Sequence, residues 1–86
     1  MTEQITLNDG TVLDGGSVIV SGDLFLYVPN QTMARVFTLL NDPTRTRKIV
    51  YTQNNGDGIE FSGYTRLIAL RDEDYEITAV MRKAVQ

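Results

Sequence analysis

The 86-residue sequence contains no cysteine and no histidine. Without cysteine there is no disulfide framework and no thiolate metal site. The stability that crosslinks give other small domains must come from the core, alone or together with self-association. Without histidine the commonest general base, the Ser-His and Cys-His nucleophile pairs and most zinc sites are excluded. We therefore predict that the protein is not an enzyme and has no metal or cofactor.

Long apolar runs and a basic excess are missing as well. No apolar segment approaches the roughly 20 residues that cross a bilayer, and residues 1–4 lack the pattern of a secretory signal. The net charge of −3 argues against nucleic acid as a partner, because phosphate binding needs clustered Lys and Arg. We expect a cytoplasmic protein that binds neither membrane nor nucleic acid, folded as a single β-rich domain over residues 1–86.

Two β-hairpins are predicted in the first third of the chain. Ile5 and Leu7 alternate with polar residues before the turn sequence Asn8-Asp9-Gly10, and an apolar pair follows it. A second hairpin joins residues 17–20 to residues 24–28 across Ser21-Gly22-Asp23. Both strands of the second hairpin are apolar on both faces, which is typical of a central strand covered on each side or of a face committed to a partner.

Four residues are candidates for such an interface: Phe25, Tyr27, Ile68 and Leu70. Phe25 and Tyr27 alternate with Leu24 and Leu26, and Ile68 and Leu70 alternate with Leu67 and Ala69, so each pair is predicted on the opposite face from its neighbours. One short helix covers only one face of a sheet. The second face is then either the interior of a barrel or double layer, or the interface of a homodimer or ring.

One helix is predicted where the apolar period changes after Pro29. Met33, Val36, Phe37 and Leu40 fall at i, i+3, i+4 and i+7 and form one stripe. Asn30 or Thr32 supplies the N-cap, and the helix ends before Pro43. We expect this stripe to close the core, so that Phe37→Ala costs about 3–5 kcal/mol.

The second half of the chain reads as strands joined by polar turns. The predicted strands are residues 48–52, 59–61, 64–71 and 75–82, with a bend or bulge at Gly63 and with Tyr75 on the same face as Ile77. The fold class is α+β and β-rich, with antiparallel hairpins, a C-terminal meander and one short helix. The choice between an open sheet and a barrel stays open.

Charged groups form two candidate patches. The acidic patch, Asp72, Glu73, Asp74 and Glu76, lies in and after a predicted turn, where solvated carboxylates are ordinary. The basic patch is Arg45, Arg47 and Lys48. On an extended segment Arg45 and Arg47 would share a face and could contact phosphate or an acidic partner. A charged edge strand is the favoured explanation, because three cations supply few phosphate contacts.

The loop of residues 53–58 contains the Asn-x-Asp-Gly core of a calcium-binding loop. The rest of that pattern is missing, because Gln53 stands at the first ligand position and Tyr64 at the twelfth. A plain hairpin loop is therefore predicted there.

Several segments resemble short uncharacterised proteins encoded in phages and prophages of gut Gram-positive bacteria. They read LNDGT (residues 7–11), SGDLFLYV (21–28), VFTLLNDPTRT (36–46), FSGYTRLIALRDED (61–74) and ITAVMRK (77–83). The resemblance carries no catalytic or binding motif. It implies a phage setting in a host cytoplasm or a virion, with a phage or host protein, or a second copy of the chain, as partner.

Two functions fit these observations. The first is a non-enzymatic protein-binding or assembly module, as in a virion accessory or head-tail component. The alternative is a small acidic inhibitor or regulator of a host enzyme, which would use the acidic patch as a mimic of nucleic-acid phosphates.

Overall fold

The computed structural model describes residues 2–84 of the chain. Its elements in chain order are β1 (Gln4–Thr6), β2 (Val12–Asp14), β3 (Gly16–Val20), β4 (Asp23–Pro29), α1 (Met33–Leu40), α2 (Pro43–Thr46), β5 (Lys48–Thr52), β6 (Gly58–Ser62), β7 (Arg66–Glu73) and β8 (Glu76–Arg82). The predicted α+β, β-rich class is confirmed, as are both N-terminal hairpins.

The strands form two antiparallel four-stranded sheets. The first sheet has the order β2-β1-β5-β6 and the second has the order β3-β4-β8-β7. The four C-terminal strands therefore do not form one continuous meander. They form two hairpins, one in each sheet, and the chain crosses between the sheets at Gly63, whose positive φ of 85° is readily adopted by glycine.

The chain also changes sheet at Gly15, between β2 and β3. The N–H of Gly15 donates to the carbonyl oxygen of Glu3 at 3.0 Å, which ties this junction to the start of β1. A Cβ on residue 15 would overlap the backbone carbonyl oxygen of Tyr27. Glycine is required here by the close approach of β4.

One hydrophobic core collects side chains from both sheets and from α1. Its buried members are Ile5, Leu7, Leu13, Leu24, Leu26, Val28, Val36, Leu39, Leu40, Ile49, Ile77, Ala79 and Met81. Along β4 buried and partly exposed residues alternate strictly. Phe25 and Tyr27 thus lie on the outer side of the second sheet, as predicted from the alternation.

Helix α1 begins after Thr32, one of the two predicted N-caps, and ends before Pro43 as predicted, but it buries a different stripe. Thr32 is the N-cap, and its hydroxyl accepts a hydrogen bond from the N–H of Arg35. Val36, Leu39 and Leu40 are buried, whereas Phe37 is 50% exposed. Met33 is also exposed, at 36%. The prediction that Met33 and Phe37 pack into the core is wrong, because the helix is turned so that Leu39 faces the core.

A second correction concerns β7. The register shifts between Leu67 and Ala69, so Ile68 is an extra residue that bulges out of the ladder. After the bulge Leu70 pairs with the buried Ala79 and packs against the core. Leu67 and Leu70 therefore both point inward, and the prediction that Leu70 shares an outer face with Ile68 is wrong.

Candidate protein-binding surface

An apolar row crosses the outer side of the second sheet. The strand register places Val18 opposite Phe25, Phe25 opposite Val80, and Val80 opposite Ala69. Opposed residues of antiparallel strands share a face, so these four side chains lie side by side across all four strands. We call them the outer row. The sequence indicated Phe25 alone, since the long-range pairing that brings in the other three has no local signal.

Polar side chains border the outer row along the sheet. On one side Tyr27 pairs with Thr78, which pairs with Arg71. On the other side the guanidinium of Arg82 donates to both carboxylate oxygens of Asp23, at 3.0 and 2.9 Å. This bidentate pair lowers the pKa of the Asp23 carboxyl and raises that of Arg82. An apolar strip between polar borders is the usual anatomy of a protein interface.

The apolar surface continues around the β7 edge. Ile68 is 37% exposed at the bulge and, with Phe37, lines a shallow depression at the side of the sheet. Ala69 belongs both to the outer row and to this depression, so Ile68 and Phe37 lie beside the β7 end of the outer row. Phe25 lies on β4, separated from β7 by β8. Leu70 also lines the depression, but its side chain faces the core.

Strand β3 forms one edge of the second sheet. Val18, Ile19 and Val20 are 43%, 41% and 45% exposed, although all three are apolar and β-branched. The apolar run predicted either a covered central strand or a strand committed to a partner. The first alternative is wrong for β3, because it pairs with β4 alone among the described strands.

The acidic patch lies at the tip of the β7–β8 hairpin. Glu73 pairs directly with Glu76, and the two turn residues Asp74 and Tyr75 have φ values of 50° and 65°. Both residues adopt the left-handed region without being glycine, which is uncommon for a bulky side chain. Tyr75 is 88% exposed, so the prediction that it shares the inner face with Ile77 is wrong.

The basic patch does not lie on an extended segment. Residues 43–46 are a helical turn with Asp42 as N-cap, so Arg45 and Arg47 do not lie on an extended segment. Arg45 pairs with Asp9 at 2.8 Å, and Lys48 pairs with Glu60 at 3.2 Å. Two of the three cations are therefore engaged with carboxylates of the same chain.

Asp9 and Asp42 have pKa values below the ordinary range. For Asp9 the largest cause is the hydrogen bond from the backbone N–H of Thr11, with a smaller contribution from Arg45. For Asp42 it is the hydrogen bonds from Thr44. These carboxylates hold turns and caps, so their shifts reflect structure.

The remaining candidate site is the loop between β5 and β6. Residues 53–57 form the predicted hairpin loop, which contains hydrogen bonds between Asn55 and Asp57, and β6 begins at Gly58. Within residues 2–84 no three acidic side chains come together as a metal-binding group. Neither described helix has the length and apolar character of a membrane span.

Comparison with protein-family models, with curated proteins and with solved structures returned no match.

Proposed function

We propose that the chain is a non-enzymatic protein-binding module that acts in an assembly through the outer side of its second sheet. The observation that carries this proposal is the outer row. Val18 and Ala69 are exposed and Phe25 is partly exposed, whereas Val80, between Phe25 and Ala69, is only 9% exposed. The chain is also short enough to have a thin core. A small domain gains from burying apolar surface of this kind against another protein.

The resemblance of the sequence to phage and prophage proteins supports a setting for this module. We propose that it is a virion accessory or head-tail component, made in the host cytoplasm, whose partner is a second copy or another phage or host protein. A module with this role would act through a binding surface and would not require catalytic groups.

A charge placed beside the outer row tests the proposal. Ile68→Lys puts a cation at the exposed bulge, and Val12→Lys is a matched control because Val12 is an exposed β-branched residue on the outer side of the first sheet. We expect a complex captured from producing cells by the wild-type chain to be lost with Ile68→Lys and kept with Val12→Lys. Equal melting temperatures of the two variants would show that both are folded.

The proposal fails if Ile68→Lys captures the same complex as the wild type, or if Val12→Lys abolishes capture equally. The first result would mean that the outer side of the second sheet is not used. The second would mean that any added cation disturbs binding, so that no particular face is involved.

The tip of the β7–β8 hairpin favours a second candidate function. Here the four acidic residues of the patch flank Tyr75 in the sequence, and Tyr75 is 88% exposed on a turn with two positive φ values. An acidic inhibitor of a nucleic-acid-binding host enzyme would present such a tip. Reversing the charges of Asp72, Glu73, Asp74 and Glu76 should then abolish complex formation, and an unchanged affinity would exclude this function.

A further inference from the structure

The peptide groups of β3 that face away from β4 are identified by the hairpin geometry. The turn residues Ser21 and Gly22 both have positive φ, 51° and 84°, as in a type I′ two-residue turn. In such a hairpin the flanking residues Val20 and Asp23 exchange both hydrogen bonds, and every second pair along the ladder does the same. Val18 therefore bonds to β4, whereas Ser17 and Ile19 direct their N–H and C=O groups outward.

These outward groups lie on an open edge. Among residues 2–84 neither Ser17 nor Ile19 makes a backbone hydrogen bond outside the β3–β4 ladder. The edge is bounded at one end by the hydrogen bond between Gly15 and Glu3, and at the other end by the Ser21-Gly22 turn. It is five residues long and centred on Val18.

The other three sheet edges carry the features by which proteins prevent strand addition. β2 is only three residues long and ends in Asp14. β6 presents the exposed Glu60, and β7 contains the bulge at Ile68 and is charged at both ends. β3 has none of these features, since residues 15–22 include no charged residue. Among the four described sheet edges, β3 is therefore the one without a feature that prevents strand addition.

We propose that β3 pairs antiparallel with β3 of a second copy of this chain, with Val18 on the two-fold axis. This proposal goes beyond the proposed function, since it concerns the open edge of β3 and leaves the outer row itself uncovered. In this register Ser17 aligns with Ile19 of the second copy and Ile19 aligns with its Ser17. All the outward peptide groups of both residues are then used, giving four hydrogen bonds between the copies.

Side chains and charge also fit a second copy. Val20 lies opposite Gly16 of the second copy on the outer side, so a large side chain faces a position without one. The chain carries a net charge of −3, which repels a second copy over most of its surface, but like charges do not meet across this neutral edge. The two outer rows then join at Val18 into one row across eight strands.

The size of the contact sets the expected affinity. Stable complexes bury about 1,600 Å² in total, and five residues from each copy bury less than that. We therefore expect a reversible dimer whose population rises with protein concentration.

Cysteine crosslinking tests the register. Facing residues of a pair that lacks hydrogen bonds have Cα atoms about 4.5 Å apart, which lies inside the range that a disulfide spans. The chain has no cysteine, so Val18→Cys introduces a single thiol on the proposed axis. Val12→Cys is the matched control, because Val12 is a similarly exposed valine on the edge strand β2.

Under mild oxidation at equal concentration we expect Val18→Cys to form a covalent dimer at least about tenfold faster than Val12→Cys. Amide hydrogen exchange of the wild-type chain gives a second readout that needs no substitution. Exchange at Ser17 and Ile19 should slow over about a hundredfold rise in concentration, while exchange at the amides already bonded to β4 changes little.

Equal crosslinking rates of the two cysteine variants, or exchange at Ser17 and Ile19 that does not depend on concentration, would overturn the dimer. Protection of these two amides only when a different protein is added would overturn it too. If the dimer fails while Ile68→Lys still abolishes capture of another protein, the proposed function stands without this inference. If both tests fail, both proposals fail.

Discussion

The burial of α1 leads to a prediction opposite to that drawn from its sequence pattern. Leu40 is fully buried, so Leu40→Ala should cost about 2–5 kcal/mol through lost contacts and the cavity left behind. Phe37 is 50% exposed. Since full burial of such a side chain is worth about 1.5–3 kcal/mol, half of it gives a cost of about 1 kcal/mol for Phe37→Ala.

Thermal denaturation followed by far-ultraviolet circular dichroism separates the two cases. For a domain of this size 1 kcal/mol lowers Tm by about 4–8 °C. Phe37→Ala should fall in that range, and Leu40→Ala should lose at least about twice as much. In a domain whose free energy of unfolding is about 5–10 kcal/mol, Leu40→Ala then leaves only a small free energy of unfolding at 37 °C. If Phe37→Ala lowers Tm as much as Leu40→Ala does, the described orientation of α1 is wrong.

Three further changes test the rest of the fold. Gly15→Ala should destabilise the domain by about 1–3 kcal/mol in urea unfolding, because its Cβ meets the carbonyl of Tyr27, and an unchanged midpoint would contradict this. Ser17→Ala should leave stability equal or raise it, because the hydroxyl of Ser17 is buried without a partner within residues 2–84, and a loss of stability would reveal a missed bond. The pKa of Asp23 is lowered by its hydrogen bond to Arg82, so this pair stabilises the fold fully above the unfolded pKa of about 3.9. The stabilisation is lost as the pH falls through the lower folded pKa. Asp23→Asn should therefore make the free energy of unfolding depend less on pH in the acid range.

Local patterns were enough to predict most elements of this fold. Alternation predicted the strands, and the Asn8-Asp9-Gly10 and Ser21-Gly22-Asp23 sequences predicted two turns. The 3.6-residue period predicted α1, with Thr32 as one of two possible N-caps. Each of these signals lies within a few residues of the structure that it predicts. Such signals depend on backbone preferences, which the sequence carries directly.

The features that were missed depend on contacts between distant segments. The inward side of α1 is chosen by what packs against it, and Leu39 offered an equally apolar alternative to Phe37. Nothing in the uniform apolar run around Ile68 marks a bulge. Asp42-Pro43 was interpreted only as the end of α1, although Asp at the N-cap and Pro at N1 are also the usual start of a helix, here α2.

The candidate surface was predicted only in part for the same reason. Phe25 and Ile68 were found from alternation and apolar excess. Val18, Ala69 and Val80 join them because β4 pairs with β3 on one side and with β8 on the other, and β8 pairs with β7. That order is set by tertiary packing, so the row was not visible as a unit in the sequence.

The central claim is that the outer side of the second sheet binds protein. The most direct measurement places a photo-crosslinking amino acid at position 68 or, as control, at position 12, and irradiates cells that produce the chain. We expect an adduct of discrete mass from position 68 and none from position 12. A second copy paired through β3 would lie at the opposite edge of the sheet from position 68, so this adduct reports on a different protein. No adduct from position 68, or the same products from both positions, would contradict the central claim.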